Sequence, residues 1–279
     1  MRGQNFCGML LSELERFARE DVGEMDDSSS IVPEVIAEAV ILAKEMCIVS
    51  GLEEADQILN YFGLNGERLV QEGAAVCAGT RVLAIRGLAR SILQAERLVL
   101  NFMSRMSGIS TITRSCVDRA GTVRVASTRK TTPGFRSFEK RAVVVGGGDP
   151  HRFDLSSSVM IKDNHLKLLS LEEAIATARE KASFTKKIEV EVERLEDAQK
   201  AASLGADIIM FDNMSPDAIR EGVELLNRGG LRGWVLLEAS GGITPENVAD
   251  YAATGVDVVS MGALTRSARW IDFSLEIEI

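Results

Sequence analysis

Ser127-Thr-Arg-Lys-Thr-Thr-Pro-Gly-Phe-Arg136 holds the densest chemistry in the chain. Two adjacent cations, Arg129 and Lys130, stand among hydroxyls and a glycine. Those are the parts that hold a carboxylate or a phosphate. Downstream, Gly146-Gly-Gly-Asp-Pro-His-Arg152 joins three glycines to His151 and Arg152. Glycines let a backbone approach a ligand closely, and a histidine beside an arginine favours contact with an anion. Between Arg124 and Asp163 lie eight Lys/Arg and four acids, a local +4 in a chain whose net charge is -9. A basic island in an acidic protein focuses anions, although a solvated basic face would carry the same charges.

Met160-Ile-Lys-Asp-Asn-His165 reads as an apolar strand ending in charge. A lysine there, Lys162, needs an anionic ligand or a carboxylate partner. In Ile188-Glu-Val-Glu-Val192 the two-residue period puts Glu189 and Glu191 on one face, with an acid expected in the mouth formed by the strand ends. Phe211-Asp-Asn213 ends the next strand the same way. Glu191 and Asp212 could hold Mg²⁺, pair with Lys162, or stabilise a developing cation. Ala239-Ser-Gly-Gly-Ile-Thr-Pro245 and Ser260-Met-Gly-Ala263 are small glycine turns leading into helical sequence. In α/β barrels such turns receive phosphate.

The elements that must position these residues alternate regularly. Strand-like runs at 123–127, 159–162, 187–192, 207–211, 234–239 and 257–261 are separated by helical stretches at 171–182, 195–204, 216–226 and 245–253. Ser170, Ser215 and Thr244 stand where N-caps are expected. Gly205 and Gly255 stand where left-handed C-caps are expected. Such alternation predicts parallel strands with helical crossovers. Polar residues recur at the strand ends, so a barrel that gathers them at one mouth is the simpler architecture. An open sheet would spread them along a crevice.

The first hundred residues differ, with glycine- and acid-rich segments at 22–27 and 65–79 and a helical stretch at 89–106. They predict an α+β domain over 1–107, with the barrel over 108–265. The alternating Ile271, Phe273, Leu275, Ile277 and Ile279 predict a strand, so that 266–279 rejoins the first domain. No apolar run is long enough to span a membrane, and the N-terminus lacks the apolar core of a signal peptide. Cys7, Cys47, Cys77 and Cys116 are too scattered for a metal or disulfide framework. A reducing cytoplasm is the expected location. The negative net charge argues against non-specific binding to nucleic acid.

Taken in order, Thr128-Arg-Lys-Thr-Thr-Pro-Gly134, Glu139-Lys140, Gly146-Gly-Gly-x-x-His-Arg152, Ile161-Lys-Asp-Asn-His165, Glu189-Val-Glu191, Asp212-Asn213 and Glu238-Ala-Ser-Gly-Gly-Ile243 resemble the quinolinate phosphoribosyltransferases. Upstream, Glu20-Asp21, Glu96-Arg97, Leu100-Asn101 and Ser107-Gly-Ile-Ser-Thr111 fit as well, so the resemblance spans nearly the whole chain. It implies an N-terminal α+β sandwich, an incomplete α/β barrel of about six parallel strands, and a homodimer or higher oligomer. The implied reaction joins quinolinate to phosphoribosyl pyrophosphate with Mg²⁺ as cofactor, giving nicotinate mononucleotide, pyrophosphate and CO₂. By motif, Arg97, Arg129, His151, Arg152 and Lys162 surround the dicarboxylate, with Arg97 supplied across the dimer interface. Lys130 lies at the junction with the phosphoribosyl group. Glu191 and Asp212 serve the ribose–Mg²⁺ region, and Ser240, Gly241, Gly242 and Gly262 receive the 5′-phosphate. Two segments depart from the family pattern: Met25-Asp26-Asp27-Ser28 replaces Gly-Asp-x-Thr, and Thr265-Arg266-Ser267 replaces Thr-His-Ser. The alternatives are a paralogous transferase with another acceptor, of the type associated with molybdenum transport, a nicotinate-specific enzyme, and a non-catalytic phosphosugar-binding barrel.

Overall fold

The computed structural model describes residues 8–24 and 26–278. The readings at the extreme N-terminus, at Cys7, at Met25 and at Ile279 lie outside the described residues. In chain order the strands are β1 (Ile36–Ala43), β2 (Cys47–Ile48), β3 (Asn65–Arg68), β4 (Ala75–Val76), β5 (Arg81–Leu88), β6 (Arg124–Ala126), β7 (Val159–Ile161), β8 (Ile188–Val192), β9 (Ile208–Asp212), β10 (Leu236–Ser240), β11 (Val258–Ser260) and β12 (Phe273–Glu278).

Two compact units emerge. The first gathers the described residues of Met1–Ile112, Pro133–Gly146 and Ala268–Ile279. Its main sheet is antiparallel, in the order β12-β1-β5-β3, and β2 pairs with β4. The C-terminal strand returns as the sequence pattern predicts: β12 pairs with β1 from Ala43↔Phe273 to Glu38↔Glu278. The helix Ala89–Ala120 begins in this unit, and its residues from Thr113 on belong to the second. Buried Ile92, Ala95, Val99, Met103, Met106 and Ile109 recur every three or four residues along it, the stripe of a helix that faces a core. The helix must approach the chain near Arg269 closely. A Cβ on Gly108 would lie 1.9 Å from the Arg269 carbonyl oxygen, so only glycine fits. Phe17, Phe102, Phe135 and Phe138 pack together, with edge-to-face Phe102–Phe138 rings at 5.0 Å. Segment 133–146, read from sequence as part of the barrel, lies with this unit. The Arg105 guanidinium donates to buried Glu139 at 2.6 Å and to the Ala268 carbonyl at 3.0 Å.

The second unit is Thr113–Thr132 with Gly147–Ser267. Its six parallel strands run in the order β6-β11-β10-β9-β8-β7. From β7 to β11 each strand pairs with the next in sequence, and β6 closes on β11. A doubly wound sheet would reverse its order at a switch point. A single direction of winding, with right-handed crossovers, rolls the sheet into a barrel. The barrel is incomplete because β6 and β7 are its two edges. Asp149 adds one parallel bridge to Ala126 beyond β6.

Helix ends follow their caps. Ser170 accepts from the Glu173 N–H at 3.2 Å, and Ser215 accepts from the Ala218 N–H at 3.3 Å. Thr244 is not a cap: the helix after β10 is Val248–Ala252. Asn247 Oδ1 takes the Thr244 N–H at 2.8 Å, so 244–247 forms a turn and the helix starts three residues after the expected Pro245. At the strand starts, Asp207 accepts the Ile188 N–H and Asp257 accepts the Leu237 N–H, at 2.8 and 2.7 Å. Each aspartate also holds an arginine, Arg179 or Arg232. The face opposite the mouth is therefore tied by ion pairs.

Candidate active site

Register decides which side chains meet, because cross-paired residues of parallel strands point to the same face. Met160 pairs with Glu189, Glu191 with Met210, Met210 with Glu238, Asp212 with Ser240, Ser240 with Ser260, and Ser260 with Ala126. Glu189, Glu191, Asp212, Glu238, Ser240 and Ser260 thus share one face across four strands. Lys162 continues β7 beside Glu191 and forms an ion pair with it. One of the three roles foreseen for Glu191, pairing with Lys162, is therefore realised here. Asp212 accepts from the Asn213 side-chain amide at 2.6 Å.

The cations arrive from the loops. Arg129 follows β6, and its Nε is buried with no hydrogen-bond partner. Arg152 is half-buried and donates from Nη2 to the Met160 thioether at 3.4 Å. Sulfur is a weak acceptor, so this guanidinium keeps donors for a stronger one. Burial first, and then the Arg129 charge, push Arg152 below its ordinary pKa. Unmet donors on neighbouring cations in a partly dry site mark a place for an anion.

His151 sits in the left-handed region at φ +56°, an uncommon state for a residue with a side chain. Asp149 stabilises it by accepting the His151 N–H at 2.7 Å, while its own backbone is bonded to β6. The His151 ring lies with Nε2 3.2 Å from Glu238 Oε2. Beside them Glu189 is almost fully buried. Burial, followed by repulsion from Glu238, pushes Glu189 up to about 8, against the pull of His151, Arg152 and Lys162. Glu189 Oε1 and Glu238 Oε1 are both buried and unpartnered.

The glycine turns are shaped by close approach. Gly241 has φ +88° and Gly242 has φ +63°. A Cβ on Gly241 would lie 2.4 Å from Asn213 Oδ1 and 2.7 Å from the Asn213 nitrogen. The Asn213 N–H is taken by the Ser240 carbonyl at 2.9 Å. Among the described residues the Gly241 and Gly242 amides meet no backbone acceptor. Gly262 lies against the Lys130 chain, whose Cδ would be 3.0 Å from an added Cβ. The Lys130 carbonyl accepts from the Thr265 hydroxyl at 2.8 Å, which fixes the Lys130 loop to the end of β11.

The structure therefore gathers Lys130, Arg129, His151, Arg152, Lys162, Glu191, Asp212, Ser240, Gly241, Gly242 and Gly262 in the second unit, at the strand ends or the loops after them. Arg97 belongs to the first unit, exposed on the helix Ala89–Ala120. Glu189 and Glu238 were missed as site residues. Their signal was present, since an acid within an apolar strand carries the same message as Lys162.

Residues 109–276 match the family model for the quinolinate phosphoribosyl transferase C-terminal domain, and residues 26–107 match the N-terminal domain. The chain is 46% identical over 277 residues to a probable nicotinate-nucleotide pyrophosphorylase [carboxylating] of Methanothermobacter thermautotrophicus, covering 96% of this chain and 99% of the relative. It is 37% identical over 264 residues to the nicotinate-nucleotide pyrophosphorylase [carboxylating] of Rattus norvegicus, covering 93% and 88%. The crystal structure of NadC from Streptococcus pyogenes superposes with a TM-score of 0.90 at 39% identity, covering 96% and 95%.

Proposed function

The chain belongs to the quinolinate phosphoribosyltransferase family, and from that premise we propose how its barrel mouth works. The enzyme transfers the phosphoribosyl group of phosphoribosyl pyrophosphate to quinolinate. The products are nicotinate mononucleotide, pyrophosphate and CO₂, a step of NAD biosynthesis. The observation that carries the residue assignments is the meeting of under-bonded cations and carboxylates on one barrel face.

Arg129, His151, Arg152 and Lys162 take the two carboxylates of quinolinate, and this orients its ring nitrogen toward the ribose. Arg97, from the first unit, comes from the second subunit of a homodimer. As the ring nitrogen attacks C1 and pyrophosphate departs, C1 acquires oxocarbenium character. Glu191 and Asp212 stabilise that charge. Lys130, held against Gly262, bridges acceptor and phosphoribosyl group and neutralises phosphate oxygens. The Ser240–Gly242 turn and Gly262 bind the 5′-phosphate through hydroxyl and backbone N–H groups. After transfer, the C2–carboxylate bond breaks to release CO₂; its electron pair stays on C2, stabilised by the adjacent pyridinium nitrogen, and then bonds a proton from water to give nicotinate mononucleotide.

Hard carboxylate oxygens suit Mg²⁺. Glu191 and Asp212 are only partly buried, lie on one face of adjacent strands, and fit that ion. When bound there, Mg²⁺ neutralises pyrophosphate charge. No described helix is long and apolar enough to cross a membrane, and the proposed site of action is the cytoplasm.

The test is turnover of quinolinate and phosphoribosyl pyrophosphate with Mg²⁺, reading nicotinate mononucleotide and CO₂ together. Equal amounts of both are expected. Pyrophosphate release without them would move the acceptor away from quinolinate. Each charge-assisted contact contributes about 1.5–3 kcal/mol, so Arg152→Ala is expected to raise the KM for quinolinate roughly 10- to 100-fold. A parental KM in that variant would remove Arg152 from the site.

A further inference from the structure

We infer that Glu238 is a positioning residue for capture of the dicarboxylate, acting through the His151 ring; this rests on the reading of the site given above. Glu238 stands within the apolar run Leu237-Glu-Ala239 of β10, with only 2% of its side chain exposed. Its Oε2 lies 3.2 Å from His151 Nε2, while its Oε1 has no partner. The Glu189 carboxylate is so close that ligand atoms of Glu189, Glu238 and His151 fall within 4.8 Å of one another.

As architecture, this arrangement is unfavourable. Two buried acids repel each other, and each keeps an oxygen unbonded. A neutral residue of the same shape would suit the fold at least as well. Nor does the cluster require a metal for charge balance, because His151, Arg152 and Lys162 already act on it. What the carboxylate supplies is a fixed point for the imidazole. The His151 backbone is pinned by Asp149 at one end, and Glu238 pins the ring at the other. Asp149 is local, two residues before His151, and fixes the backbone; Glu238 reaches the ring from β10, so the ring cannot turn without breaking that contact. A ring held this way meets the substrate in one orientation. The carboxylates beside it are Glu238 from β10 and Glu189 from β8, and Arg152 and Lys162 act on the same Glu189.

The test compares Glu238→Gln, His151→Ala and the double variant in steady-state kinetics. Glu238→Gln is expected to raise the KM for quinolinate about tenfold and to leave the KM for phosphoribosyl pyrophosphate within about twofold. In the His151→Ala background the same change is expected to shift the quinolinate KM less than about twofold, because the two residues act as one unit. Glu238→Asp, which keeps the charge but withdraws it from the ring, should behave like Glu238→Gln and serves as the second variant. Thermal melting of Glu238→Gln is expected at or above that of the parent. A parental quinolinate KM in both Glu238 variants overturns the inference, as does a penalty that adds in full to that of His151→Ala. Turnover of quinolinate by the parent chain tests the underlying reading separately.

Discussion

Arg129 and Arg152 illustrate how a binding site can be recognised from what is missing. A buried guanidinium nitrogen without an acceptor, and a second guanidinium whose bond goes to a thioether, are costly unless an anion arrives. Glu189 is the reverse case. Pushed up to about 8 from an ordinary 4.5, it keeps its proton in the folded chain when the unfolded chain has released it. Folding stability therefore falls as the pH rises from about 4.5 to about 8, and levels off above. Glu189→Gln, which cannot ionise, should melt close to the parent near pH 5 and above it near pH 8. A gap that does not widen with pH, measured by calorimetry, would refute the buried-acid account.

Among the elements, two glycines are fixed by space rather than by turn chemistry. Gly108 lets the long helix touch the backbone at Arg269, where an added Cβ would stand 1.9 Å from a carbonyl oxygen. Backbone cannot yield as a flexible side chain can, so Gly108→Ala should cost at least about 3 kcal/mol, in the range of severe overpacking, read by denaturant unfolding. Gly241 combines a positive φ with a would-be clash on Asn213. Gly241→Ala should cost about 1–3 kcal/mol of strain. It should also raise the KM for phosphoribosyl pyrophosphate more than that for quinolinate, because the turn is assigned to the 5′-phosphate. Equal effects on both substrates would reassign the turn.

At the scale of the molecule, the chain leaves its first unit to make the barrel, re-enters that unit over 133–146, and returns at the end to finish the first sheet. The proposed dimer gives this division a function, since Arg97 belongs to the first unit and Lys130 to the second. If Arg97 serves a neighbouring subunit's barrel, Arg97→Ala and Lys130→Ala chains, each nearly inactive, should complement when co-expressed. Random pairing leaves one intact site in each mixed dimer, so about a quarter of parental activity should return. No recovery in co-purified mixed dimers would place Arg97 beside its own barrel.

The sequence by itself determined the barrel, because alternating strands and helices with capping serines leave few alternatives to parallel strands. It also marked most of the candidate site, since Arg129, Lys130, Lys162, Glu191 and Asp212 stand beside apolar runs where charge has no structural reason to be. The strand at the C-terminus was legible from its period of two. Tertiary structure alone decided the rest. The turn at 244–247 displaced a helix start because Asn247 offers a side-chain acceptor that Thr244's own position does not reveal. The segment 133–146 went to the first unit because Phe135 and Phe138 pack against Phe17 and Phe102, a choice no local pattern encodes. Glu238 and His151 are 87 residues apart. Their partnership depends on strand order and register, and those are set by how the whole sheet closes rather than by the residues on either side.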